Sequence, residues 1–117
     1  MAVRTTITTE IAENADTILA ATFVDEAGAT LSSLDSLTLT LWEESTEDII
    51  NSRDASDVSA SLTGGVLSLA LATADNAIVT SKLTERHVAL FEWTYDSGTK
   101  LGKHEVVFTV TNLVKVP

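Results

Sequence analysis

A chain of 117 residues, 44% hydrophobic and 21% charged, has room for one folded core and is too apolar to stay disordered. Seventeen acidic against seven basic residues leave a formal charge of −10, which opposes attraction to phosphate backbones and anionic lipid, so neither nucleic acid nor a membrane is an expected partner. The absence of cysteine removes disulfides and thiolate metal sites, and it leaves the compartment open.

The opening Met1-Ala-Val-Arg-Thr-Thr carries no apolar signal region, and no apolar run approaches the ~20 residues of a membrane helix. A soluble protein that does not use the secretory leader route is expected. Val3, Thr5, Ile7, Thr9 and Ile11 alternate with polar neighbours, and their β-branched character favours a first strand. Residues 1–15 read either as that strand or as an arm reaching onto a neighbour. A second strand over 16–24 ends at Asp25-Glu-Ala-Gly28, where Gly28 suits a turn. In the third, Leu37-Thr-Leu-Thr-Leu41, the leucines face inward while Thr38, Thr40 and Trp42 face outward.

Ile49 and Ile50 read as a short fourth strand after the acidic link 43–48, and residues 51–63 as a polar loop. Gly64-Gly65 open a fifth strand over 66–71, and residues 72–82 suit a short helical turn with Thr73 as its cap. The strongest pattern comes last. Arg86-His-Val-Ala-Leu-Phe-Glu-Trp-Thr-Tyr95 and Lys103-His-Glu-Val-Val-Phe-Thr-Val-Thr111 alternate across residues 96–102, which predicts a hairpin with its odd-numbered face inward on the first strand. Phe91, Trp93, Phe108, Leu39 and Leu69 are the expected core. About seven strands at 8–12-residue spacing predict an all-β, immunoglobulin-like β-sandwich occupying residues 1–117 as one domain, with a small β-barrel as the alternative.

Few residues invite a chemical reading. Hairpin pairing sets Phe91 opposite His104 and leaves His87 about 13 Å away, so one metal ion cannot use both imidazoles. Both read as structural histidines hydrogen-bonded to backbone or carboxylate. Glu92 and Glu105 would oppose each other in one register, but like-charge repulsion favours the register that pairs Glu92 with Lys103. Glu43, Glu44, Glu47 and Asp48, with Asp54 and Asp57 nearby, lack the Asp-x-Asp-x-Asp-Gly spacing of a calcium loop and read as solvated charge. No phosphate-cradling glycine motif and no Gly-x-Ser-x-Gly elbow is present, so no catalytic residue, cofactor or metal is expected and the chain is not read as an enzyme. Trp42 is different. Its outward parity leaves it either a contact for another chain or a residue covered by the 51–63 loop.

Three segments together resemble a known group: Leu37-Thr-Leu-Thr-Leu-Trp-Glu-Glu-Ser-Thr-Glu-Asp-Ile-Ile-Asn-Ser-Arg53, then Gly65-Val-Leu-Ser-Leu-Ala-Leu-Ala-Thr-Ala-Asp-Asn-Ala-Ile78, then the 86–95 run with Gly102-Lys-His-Glu-Val-Val-Phe. Over residues 20–116 the chain is similar to a family of small proteins encoded among the structural genes of tailed bacteriophages. That family has an Ile-Asn-Ser-Arg stretch after its third strand and an Asp-Asn or Asp-Thr step after a Gly-x-Leu-x-Leu strand. The loop between Asp57 and Gly64 is shorter here than the usual asparagine-rich one, which puts any partner contact on it in doubt.

The resemblance implies an immunoglobulin-like virion protein made in the host cytoplasm and carried on the capsid surface. Its expected role is head decoration or cement, binding the major capsid protein as a homo-oligomer, with a trimer fitting local threefold positions. A neck, tail or baseplate component is the alternative, and a carbohydrate-binding adhesion module built on Trp42 and Tyr95 is a third. Trp42 and Arg53, the latter closing the Ile-Asn-Ser-Arg stretch, are the candidate partner contacts.

Overall fold

The computed structural model describes residues 4–6, 11–12, 17–25, 27–71, 73–78 and 84–111. Strand β8 (Thr84–Tyr95) folds back on β9 (Lys100–Thr111) along twelve residues, because alternation in both runs puts Ala89, Phe91 and Trp93 with Val106, Phe108 and Val110 on one face. Across the other edge of β8 lies β4 (Ser36–Glu43), followed by the two-residue β5 (Ser56–Asp57). Two short strands, β1 (Arg4–Thr6) and β2 (Ile11–Ala12), run parallel to β9 on its outer side. A second sheet holds β3 (Thr17–Thr22), β7 (Val66–Leu71) and β6 (Leu62–Thr63) in that antiparallel order.

These two sheets form an all-β sandwich. The chain passes from β2 to β3 in the facing sheet, returns for β4 and β5, crosses again for β6 and β7, and finishes in β8 and β9. Such alternation, with the first strands parallel to the last, is the immunoglobulin-like layout. A closed barrel is excluded by the separation into two sheets.

Strand parity sets the core. Leu37, Leu39 and Leu41 stand opposite Trp93, Phe91 and Ala89, and all six are buried. From the other sheet, Leu19, Leu67, Leu69 and Leu71 close over them, with Phe108 and Val110 contributed by β9. Phe23 bridges the layers, its ring 6.0 Å from that of Phe91 and 4.9 Å from that of Trp93. Gly102 is the cross-strand partner of Trp93, and a Cβ at this position would run into the indole, so the tryptophan can lie flat on the strand only where a side chain is missing.

Several expectations need correction. Of the predicted first strand, Arg4–Thr6 and Ile11–Ala12 are described and are strand, β1 and β2, both on β9 of the same chain; the remainder of residues 1–15 lies outside the described residues, as do 72 and 79–82 of the predicted turn. Within that turn the chain forms a 3₁₀ turn, η2 (Thr73–Asn76). Ile49 and Ile50 do not form a strand. Ile49 makes one isolated bridge with Trp42, Ile50 is buried, and the backbone then takes left-handed angles at Asn51 and Ser52 (φ 54° and 55°), which ends any extended run. The supposed loop 51–63 contains β5, a 3₁₀ turn η1 (Ser59–Ser61) and β6. Seven expected strands thus become nine among the described residues, several very short.

Candidate functional site

Trp42 sits on the outward face of β4, with Val88 as its cross-strand partner and Ile49 bridged on its other side. It is half-buried rather than exposed, and Val88 beneath this face is fully buried. The tryptophan therefore has a local role in shielding the outer face of the sheet. Tyr95 lies on the opposite, inward face and is buried, so Trp42 and Tyr95 share no surface on which a sugar ring could stack.

Arg53 is held differently. Its carbonyl accepts from Leu41 N and its amide donates to Ile50 O, which folds the 50–53 segment back along β4. The guanidinium then forks onto the fully buried Asp75 of η2, with Nε–Oδ1 at 2.5 Å and Nη2–Oδ2 at 2.9 Å. Asn51 Nδ2 donates to the same carboxylate at 2.9 Å. The hydrogen bond to Asp75 raises the Arg53 pKa above its ordinary value, against the opposing effect of burial. Arg53 and Asp75 are thus a bidentate lock between the segment after β4 and the turn after β7. The two candidate contact residues are not brought into one patch by this geometry: one shields a sheet face, the other ties two connections together.

A second buried polar group lies at the end of the large sheet. His87 stands between Glu43 on β4 and Phe108 on β9, with its ring 5.5 Å from that of Phe108. Its Nε2 is 2.7 Å from Oε1 of Glu85, and both side chains are fully buried. Nδ1 of His87 is buried with no hydrogen-bond partner among the described residues. Glu43 is buried as well. Burial pushes its carboxyl pKa up, yet the hydrogen bonds from Ser45 and Thr46 outweigh that and hold it below the ordinary range. Glu43 was expected in the solvated link 43–48; instead its carboxylate organises that link by accepting from Ser45 N, Ser45 Oγ and Thr46 N. The inward parity of Leu37, Leu39 and Leu41 continues to residue 43 and was the signal for this.

His104 pairs with Phe91 and is half-buried. Glu92 pairs with Lys103, whose Nζ is 3.3 Å from Oε2, an exposed ion pair on the outer face. Among the described residues no group of three or more His, Asp or Glu side chains is arranged to hold a metal ion, and no helix is long and apolar enough to cross a membrane.

Two hollows of similar volume lie at different parts of the described surface. One, of about 310 Å³, is lined by Asp25, Ser32, Ser33, Tyr95, Asp96 and Lys100 beside the β8–β9 turn. The other, also about 310 Å³, runs along β3 and is floored by Phe91, His104 and Val106. In comparisons with known proteins, no family model, no curated protein and no solved structure matches the chain.

Proposed function

We propose that this chain is a non-enzymatic virion structural protein of a tailed bacteriophage, acting as a head decoration or cement protein that binds the assembled major capsid protein. The observation that carries the reading is the placement of the three segments that resemble the phage family. The 37–53 segment and the 86–95 segment pair as β4 and β8, and the 65–78 segment joins them through the bond between Arg53 and Asp75. The similarity therefore falls on one connected structural unit. Its Ile-Asn-Ser-Arg and Asp-Asn elements are the two halves of a single buried contact.

A protein of this kind acts through surface burial across capsid subunits, and many copies on one shell gain by multivalency. A charge of −10 suits an outer surface, where attraction to the packaged genome would be counterproductive. A neck, tail or baseplate position rests on the same chemistry and differs in copy number.

The test uses purified capsids of the encoding phage stripped of this protein. Added chain should bind the shell at saturating, lattice-defined stoichiometry and raise the temperature at which capsids release their contents. Failure to bind, or binding without any gain in capsid stability, would overturn the cement reading.

A further inference from the structure

The hollow beside the β8–β9 turn is set apart by what its walls leave unsatisfied. Tyr95 ends the inward row of β8, and it belongs to the buried core, with only 8% of its surface exposed. A buried tyrosine ordinarily finds a hydrogen-bond partner for its hydroxyl. Here the hydroxyl has none among the described residues and is not sealed from solvent, so it opens into the hollow that Tyr95 lines.

Asp25 forms a second wall. Its Oδ1 accepts from Ala27 N and Ala29 N, both at 2.9 Å, which fixes the turn after β3, while its Oδ2 has no partner among the described residues. Asp96 follows Tyr95 with its backbone in the left-handed region (φ 56°), and its turn is held from the other side by Gly98 N, which donates to Asp35 Oδ2 at 2.6 Å. Lys100 also lines the hollow. Its Nζ is 3.9 Å from Asp96 Oδ2 with the two side chains 44% and 66% exposed, a contact of the kind that contributes little. Ser32 and Ser33 complete the lining, in which Leu31 is the single aliphatic side chain.

This lining narrows the ligand. Two carboxylates against one ammonium oppose an anion, as does the charge of −10 on the whole chain. A metal ion is disfavoured as well, since among the described residues no group of three or more His, Asp or Glu side chains is arranged to hold one. One aliphatic side chain gives an apolar ligand little to bury against. What the hollow has in excess is acceptor capacity, in its carboxylate oxygens and three hydroxyls. A donor-rich cation answers that excess, and a guanidinium presents five N–H donors in a planar fork where an ammonium presents three from one point.

We propose that this hollow receives a basic side chain of a partner protein, above all an arginine, whose guanidinium donates to the Asp25 and Asp96 carboxylates and to the Tyr95 hydroxyl oxygen. At about 310 Å³ the hollow is at the small end of ligand sites, which suits one inserted side chain rather than a larger ligand. The negative charge of the chain draws a basic surface toward it at longer range, and the hollow sets where that surface docks. Lys100 is a resident competitor, displaced from Asp96 when the partner's charge enters.

The inference does not rest on the phage reading, and its test needs only the isolated chain. The probe is Nα-acetylarginine methylamide, followed through amide chemical shifts in a two-dimensional NMR titration at low ionic strength. Saturable shifts should centre on Ser32, Ser33, Tyr95 and Asp96, with a dissociation constant on the order of millimolar for so few contacts, and raising the salt to about 0.5 M should weaken binding several-fold. The citrulline analogue, which has the same shape without the charge, should give no saturable shift over the same range. Tyr95→Phe removes only the hydroxyl and should weaken binding several-fold. Asp96→Asn should weaken it more than Asp48→Asn, which removes the same charge from an exposed position outside the hollow. Lys100→Met should strengthen binding, and by more than Lys103→Met, whose ammonium lies on the outer face beside Glu92. The proposal would be overturned by the absence of saturable shifts at the hollow up to about 50 mM probe, by an equal response to the citrulline analogue, by a Lys100→Met variant that binds more weakly, or by Tyr95→Phe and Asp96→Asn both binding as the wild type does. Shifts produced by a neutral methyl glycoside but not by the arginine probe would overturn it in favour of a sugar site.

Discussion

Replacing Arg53 by methionine should be among the most damaging single changes outside the apolar core. The substitution keeps much of the aliphatic length and removes the forked guanidinium from the fully buried Asp75 carboxylate. Removing one partner of a buried pair typically costs about 3–5 kcal/mol, because the remaining charge is uncompensated. The exposed pair between Lys103 and Glu92 supplies the contrast, since such surface pairs contribute about 0–1 kcal/mol. Lys103→Met should therefore leave stability almost unchanged. Against a total stability of about 5–15 kcal/mol for a domain of this class, the Arg53 loss is a large fraction.

Urea unfolding followed by tryptophan fluorescence would measure these proteins, and the single variant Asp75→Leu together with the double variant Arg53→Met/Asp75→Leu completes a cycle. The double variant should be more stable than Arg53→Met alone, with a coupling energy of about 2 kcal/mol or more. An Arg53→Met protein within about 1 kcal/mol of wild type, or strictly additive single losses, would refute the view that this contact is a lock.

Phe91→Ala, which empties the centre of the sandwich, should cost about 3–5 kcal/mol in the same assay. Gly102→Ala should displace the Trp93 indole, break its hydrogen bond to the Val24 carbonyl and cost about 1–3 kcal/mol, with a shift in tryptophan emission. Trp42→Ala should cost about 2 kcal/mol in the free chain through exposure of the outer face, and a loss of capsid binding beyond that of an equally destabilised control would mark it as a contact residue. Acid should destabilise the fold: the Glu43 carboxyl pKa is lowered on folding, so its contribution is present above the ordinary carboxylate range and is lost as pH falls through the lower folded value. Glu43→Gln should flatten that part of the pH-stability curve.

Period-two alternation made the centre of this fold legible. Leu37, Leu39 and Leu41, and the residues from Phe91 to Tyr95, carry enough alternating contrast to fix both the strands and their inward faces. Charge then selected the hairpin register, because pairing Glu92 with Lys103 avoids setting it against Glu105. Short edge pairings carry no such contrast. Ser56, Asp57, Leu62 and Thr63 form strands only because longer neighbours offer free hydrogen-bonding groups, while Ile49 and Ile50 look like a strand but precede a left-handed turn.

The buried polar groups divide in the same way. Glu43, Glu85 and His87 share the inward parity of their strands, so their burial was readable once parity was carried to the strand ends. Asp75 is 22 residues from Arg53, and no local pattern links the two. Nor could the sequence show that β1 and β2 join β9 in the large sheet rather than β3 in the small one.

The reading as a capsid-binding structural protein is tested most directly by counting copies of this chain on purified particles of the encoding phage, with image reconstruction to locate them. The account predicts a large, symmetry-matched number of copies on the outer face of the head, in contact with the major capsid protein. A handful of copies confined to the neck or tail would contradict head decoration, and absence from the particle would contradict the structural role itself.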